Sequence, residues 1–255
     1  MRSFYALIPA AAIVGGAVAS TTEESDSWYF GNSMFYLGPP TSGIDIIKAT
    51  YSIVPPSVPC GYTSPDNEDP VWVSVWVGAS SSESSDSTDL YQPLFNWSPN
   101  QELQGCPASV SEWCVAASTY TPAEQVSADY VTVPQSTQVD FEISVVDDEV
   151  YQVVTMGGKV ISKLTNSLDS GLQYLMSSDE CYTGSDGACG TLDAWTITNL
   201  TVTLSGADEK FGDTIALYGS MTSASLTTSD DGTTWHTDYL DVKLVDFDDT
   251  ADLDD

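Results

Sequence analysis

The stretch Val71–Trp97, VWVSVWVGASSSESSDSTDLYQPLFNW, decides the fold class. Val71, Val73, Val75 and Val77 alternate with Trp72, Ser74, Trp76 and Gly78. A period of two, carried by β-branched and aromatic residues, belongs to a strand whose two faces meet different surroundings. The valine face is expected to enter a core. The face with Trp72 and Trp76 is expected to form the wall of a groove, although burial under a loop is the plainer alternative for two tryptophans. A flexible Ser/Asp loop follows. Asp89–Trp97 then alternates again and sets Gln92 on the face of Leu90 and Leu94.

The same period recurs outward from this pair. Ile44–Val54 reads as a strand with a phase slip near Lys48, the mark of a bulge, and Pro55-Pro56 ends it. Ser111–Tyr120 (SEWCVAASTY) is the next strand. Val139, Phe141, Ile143 and Val145 alternate with polar neighbours. Asp147-Asp148 turns that strand into Val150–Met156, and Gly157-Gly158 turns that one into Lys159–Leu164, giving a three-stranded meander. Asp193–Leu204 is a long strand whose apolar phase changes at Thr198-Asn199, and Phe211–Tyr218 is a weaker segment. Asp230-Asp231-Gly232 is a hairpin turn between Ser223–Thr228 and Thr233–Phe247. After the N-terminus no segment of useful length keeps a helical period. Strands at roughly 8–12-residue spacing, with turns between, are the pattern of an all-β, antiparallel β-sandwich. One domain over residues 20–245 accounts for the chain, followed by an acidic tail, 246–255, expected to fray.

Residues 1–19 have the layout of a secretory signal: Arg2, an apolar run from Phe4 to Val18, and Ala17-Val18-Ala19 as a small-x-small cleavage site. The run is short for a bilayer span, and Gly15-Gly16 breaks it. The expected location is therefore secreted and extracellular. The chain carries 6 Lys+Arg against 37 Asp+Glu, a net charge of −31. That balance argues against nucleic acid and anionic membrane as partners. It suits an acidic medium, where carboxylates approach neutrality and self-repulsion falls. The five cysteines include two local pairs, Cys106/Cys114 and Cys181/Cys189. In a secreted chain these read as disulfides closing short loops, each contributing about 2–3 kcal/mol by chain-entropy reasoning. Cys60 is left over, either a free thiol or an interchain partner. Asn96-Trp97-Ser98 and Asn199-Leu200-Thr201 are N-glycosylation acceptors in a eukaryotic host.

Most catalytic chemistries find no residues here. A Ser–His–Asp triad has only His236 to draw on, and no Gly-x-Ser-x-Gly elbow exists. The same lack of a base disfavours a cysteine nucleophile. No phosphate loop, dinucleotide fingerprint or spaced metal-ligand motif occurs, so no cofactor and no metal is expected. Carboxylate chemistry remains.

The order Ala49-Thr50-Tyr51-Ser52-Ile53-Val54-Pro55, Val75-Trp76-Val77-Gly78, Leu90-Tyr91-Gln92-Pro93 and Glu112-Trp113 resembles the glutamic peptidases (eqolisins), secreted acid proteases of fungi. Trp113-Cys114-Val115, Glu180-Cys181 and Ala207-Asp208…Phe211…Met221…Asp231-Gly232-x-x-Trp235 resemble uncharacterised secreted fungal proteins of the same superfamily. The resemblance implies a jelly-roll sandwich of the concanavalin A-like kind. It also implies a catalytic pair: Gln92 as the amide donating to an oxyanion and Glu180 as general base. The chain departs from the family pattern at Pro93 and Cys181.

Two readings follow. In one, the chain is an acid endopeptidase of the glutamic type, or a degenerate relative, acting through Gln92 and Glu180 with Glu112 near the substrate. In the other it is a non-catalytic, lectin-like binder of carbohydrate or cell wall that uses Trp72 and Trp76 as stacking platforms. A glycosidase ranks third and requires Glu112 and Glu180 to face each other at about 5–9.5 Å. The partner expected is an extracellular polypeptide or glycan, and the chain is expected to be a monomer.

Overall fold

A computed structural model describes residues 28–83 and 88–247. The expected signal (1–19), the polar stretch after it and most of the acidic tail lie outside the described residues. Twelve strands build the framework: β1 (Phe35–Leu37), β2 (Ile46–Ile53), β3 (Trp72–Ser80), β4 (Leu90–Tyr91), β5 (Leu94–Trp97), β6 (Trp113–Ala116), β7 (Val139–Val146), β8 (Glu149–Met156), β9 (Lys159–Ser167), β10 (Tyr174–Tyr182), β11 (Trp195–Leu204) and β12 (Thr234–Val242). Shorter strands are named by residue range.

The strands form two facing antiparallel sheets. Sheet A runs Val131–Val133, β6, β5, β3, β10, β1, Ala216–Leu217; β4 joins β3, and Trp28–Phe30 also pairs with β10. Sheet B runs β9, β8, β7, β2, β11, β12, Thr222–Ser223. The architecture is the expected all-β jelly-roll sandwich. Among the described residues the only helices are two four-residue 3-10 turns.

Val71 and the valines of β3 explain why the sheets close on each other. Val71, Val73, Val75 and Val77 are fully buried, facing Ala49, Tyr51 and Ile53 of β2 and Phe141 and Ile143 of β7 in one core. Aromatic contacts tie the layers together. Phe95 of sheet A meets Phe141 of sheet B edge-on at 5.4 Å, and Tyr51 stacks on Phe141 at 5.0 Å. Tyr51 also donates its hydroxyl to the Val77 carbonyl across the sheets, at 2.8 Å.

The meander stands as β7, β8 and β9. The phase change at Thr198-Asn199 is a bulge: Asn199 has φ of 54°, and the β11–β2 register shifts between Thr198 and Thr201. A second shift, between Thr203 and Leu204, falls beside Lys48, where the sequence slips phase. Both local cysteine pairs are disulfides, and Cys60 is an exposed free thiol.

Three expectations need correction. Asp89–Trp97 is not one strand: Pro93, which has no N–H to offer a ladder, separates β4 from β5. Ser111–Tyr120 also breaks, into β6 and Ser118–Tyr120, because the N–H of Ala117 between them donates to the Ser162 hydroxyl instead of a neighbouring strand. The chain does not fray from Asp246: Val245–Asp246 pairs with Thr191–Leu192, and Phe247 enters the core.

Phe95 is fully buried against both sheets, so Phe95→Ala leaves a cavity that neither layer can close alone. The expected loss is about 3–5 kcal/mol of unfolding free energy, read from urea unfolding followed by tryptophan fluorescence. A loss under about 1 kcal/mol would mean that Phe95 does not bridge the layers.

Candidate functional site

Alternation along β3 that buries the valines turns Trp72, Ser74, Trp76 and Gly78 onto the outer face of sheet A, away from sheet B. The register makes this face a ladder of rungs. One rung is Trp28–Tyr182–Trp72. The next is Phe30–Glu180–Ser74–Asn96–Cys114. The third is Ser178–Trp76–Leu94–Ala116. In the fourth, Met176 pairs with Gly78 on one side, and Gln92 packs beside Gly78 on the other.

Gln92 and Glu180 thus share a face but are not brought together. They stand two rungs apart along the strands and on opposite sides of β3. Two rungs are about 13 Å and two strand spacings about 10 Å, so their Cα atoms are about 16 Å apart. The Trp76 rung lies between them. Across Gly78 from Gln92 stands Met176, a side chain with no acid or base function. Gly78 itself has no room for a side chain: a Cβ there would lie 2.9 Å from Gln92 Cβ and from Leu90 Cδ1. The Gln92 amide is buried, and its Oε1 has no hydrogen-bond partner.

Trp76 is 6% exposed, packed with Leu90, Leu94 and Met176 beneath Tyr36, Tyr120, Tyr130 and Tyr174. It is not an open platform. Its indole Nε1 donates to Glu180 Oε1 at 2.8 Å. Burial pushes the Glu180 carboxyl up to about 7, and the Trp76 hydrogen bond limits the rise. The group is therefore protonated, and able to donate, at pH 4–5.

Trp72 is half-buried, as are Trp28, Phe30 and Tyr182. Trp28 and Tyr182 lie with ring centroids 5.0 Å apart, tilted by 34°, and the Tyr182 hydroxyl donates to Asp69 Oδ1 at 3.0 Å. The result is a strip of three aromatic residues across three strands, bordering the Glu180 rung. Trp28, Phe30 and Tyr182 were not among the residues singled out in the sequence. Tyr182 had a signal there, since it alternates with Glu180 on one strand. The partners from the N-terminal segment become visible only through long-range pairing.

Glu112 sits elsewhere. It closes the turn before β6, its Oε2 accepting from the Ser109 N–H at 3.1 Å and hydroxyl at 2.7 Å. Those bonds hold its carboxyl below the usual range. It lines a cleft of about 170 Å³ with Pro55, Pro56, Trp113 and Val133. From Cys114, two residues on, to Glu180 the rung crosses three strand spacings, about 14 Å. Glu112 therefore stands off the Glu180 rung, in the turn that its own Ser109 bonds close. Among the described residues no cluster of His, Cys, Asp and Glu could hold a metal ion.

No protein-family profile matches the chain, and no curated protein matches it. Solved structures do. Galectin LEC-6 of Caenorhabditis elegans is 10% identical, over 59% of this chain and 95% of that one, with a TM-score of 0.31. A Bacillus licheniformis β-glucanase is 11% identical, over 88% and 90%, with a TM-score of 0.33. A legume lectin-like domain from Entamoeba histolytica is 9% identical, over 86% and 89%, with a TM-score of 0.27. The two-sheet antiparallel sandwich rests on the chain's own strand order.

Asp179, next to Glu180, faces the other way. It is fully buried between the sheets, where Oδ1 accepts from Trp195 Nε1 at 3.0 Å and Oδ2 has no partner. Burial raises its carboxyl to about 8; the Trp195 bond opposes the rise and Glu180 adds to it. Folded, both acids keep protons that the unfolded chain releases near pH 4. Their contribution to stability is complete below about pH 4, is lost as pH rises through 7 to 8, and is flat beyond. The melting temperature is expected to be at least about 5 °C higher at pH 4 than at pH 8. Asp179→Asn, which keeps the shape and the acceptor, should flatten most of that profile by raising the pH 8 value. Lower stability at pH 4 than at pH 8 would count against a protonated core acid.

Proposed function

We propose that the chain is a secreted, non-catalytic carbohydrate- or cell-wall-binding protein whose ligand lies on the outer face of sheet A. The observation that carries this reading is the half-buried strip Trp28–Tyr182–Trp72 beside Glu180. Sugar rings present apolar C–H faces and a periphery of hydroxyls. Aromatic rings side by side on a sheet face meet the first. A buried carboxyl that donates in acid and accepts above neutrality meets the second. Trp72 keeps the platform role; Trp76 acts beneath, as the donor that fixes Glu180. Two disulfides accord with an oxidising compartment. Among the described residues no helix is long and apolar enough to cross a membrane.

The glutamic-peptidase reading has one supporting feature, a carboxyl tuned to about 7 on the face that also holds Gln92. It requires one water to touch both side chains. A separation of about 16 Å between their Cα atoms, with Met176 across Gly78 from Gln92, works against that. On the carbohydrate-binding reading, that resemblance extends to the strands and not to the reaction.

The test is retention on insoluble β-glucan, chitin and mannan at pH 4–5. Wild-type protein is expected to bind at least one of them. Trp72→Ala and Trp28→Ala should weaken binding roughly tenfold or more, with near-UV circular dichroism showing an intact fold. Digestion of a denatured protein substrate at pH 2–5, abolished by both Gln92→Ala and Glu180→Gln, would replace this reading with the peptidase.

A further inference from the structure

We infer that Asn199 is the residue of this chain that carries an N-linked glycan, and that Asn96 stays bare. Both stand in acceptor triplets, Asn199-Leu200-Thr201 and Asn96-Trp97-Ser98. The fold treats them in opposite ways.

Asn199 is the outward residue of the β11 bulge. Its φ of 54° is a left-handed conformation that asparagine tolerates. The register shift turns Leu200 into the core at 1% exposure and leaves Asn199 exposed, its side chain engaged in no hydrogen bond among the described residues. A glycan there would project from the outer face of sheet B and displace nothing. Asn96 is half-buried on the Glu180 rung with both ends of its amide in use. Oδ1 accepts from Ser74 Oγ at 2.9 Å, and Nδ2 donates to Gln104 Oε1 at 2.7 Å. Its register partner Cys114 is locked to Cys106. A sugar on Nδ2 would have to lift the Gln101–Gln104 turn and fill the floor of sheet A's outer face.

The donor is a lipid pyrophosphate-linked oligosaccharide of the eukaryotic secretory pathway. Asparagine Nδ2 attacks C1 of the first sugar, forming the N–C bond. The C1–O bond to pyrophosphate breaks, the lipid pyrophosphate leaves with that electron pair, and the transferase takes one Nδ2 proton. Transfer precedes folding, so both triplets are offered to the transferase. Only chains bare at Asn96 then complete sheet A and pass to the exterior.

The inference rests on entry into the secretory pathway, not on the carbohydrate-binding reading. The full chain would be expressed in a yeast host, once with its own N-terminus and once with residues 20–255 behind an established secretory leader. Secreted protein would be treated with peptide N-glycosidase in heavy-oxygen water, and the labelled aspartates mapped by mass spectrometry. Label is expected at position 199 in most chains and at position 96 in almost none. Asn199→Gly, which removes the acceptor and suits positive φ, should abolish the glycan mass shift, while Asn96→Gln should leave it unchanged. Secreted, folded chain with Asn199 bare, or with Asn96 occupied, overturns the inference. Should only the foreign leader bring the chain out, the secretory reading of residues 1–19 falls and the mapping still decides the site.

Discussion

The register of β3 between β5 and β10 is the constraint on which the molecule depends. A strand has a side-chain period of two, so a slip of one residue would turn Val73, Val75 and Val77 to solvent and Trp72, Ser74 and Trp76 into the core. Burial of three valines and the alanine that follows forbids that slip at about 2 kcal/mol per valine. Once β3 is fixed, every residue on the outer face of sheet A has one place. Phe30 and Ser74 must flank Glu180, and Met176 must stand opposite Gly78. The face that the ligand reading uses is thus specified from inside the core.

The same alternation has a cost at the neighbour of Glu180. With Glu180 on the outer face, Asp179 must point between the sheets, into a region otherwise built of valine, leucine and aromatic side chains. Among the described residues one indole N–H is the only hydrogen-bond partner of its carboxyl group. An ionised carboxylate there would be expensive, so the residue stays neutral until about pH 8. Charge elsewhere is distributed unevenly. Lys48, Lys159 and Lys163 lie on strands of sheet B, and Lys210 and Lys243 on the loops around it. Among the described residues the strands of sheet A carry no lysine or arginine.

Local features were legible in the sequence because they depend on neighbours along the chain. The valine alternation of β3, the meander, the bulge at Asn199 and the two short disulfide loops all follow from residues within a few positions of one another. Strand breaks were less so: Ala117 leaves the ladder because Ser162, distant in sequence, takes its N–H. The site was legible only in part. Its long-range pairs join Trp28 to Tyr182 and Tyr182 to Trp72, and no period within one segment reveals them. Trp76 looked like Trp72 in sequence, yet Leu90, Leu94 and Met176 bury one and not the other. Gln92 and Glu180 could be placed on strands, but their offset depends on how β3 registers against β10, which neither strand states alone.

A binding surface of this composition has a particular relation to pH. A site that held its ligand through ion pairs would weaken in acid as its carboxylates took up protons. On the proposed reading, stacking on Trp28, Tyr182 and Trp72 needs no ion pair, so acid takes nothing from it. Glu180, neutral below about 7, keeps a hydrogen bond to offer where an ordinary carboxylate would be partly charged. Asp179 is more easily kept in the core under the same conditions. Acid also lowers the repulsion among 37 Asp and Glu residues opposed by only 6 Lys and Arg. The face, the core acid and the overall charge therefore favour the same medium for one physical reason: each is best accommodated when its carboxyl groups carry their protons.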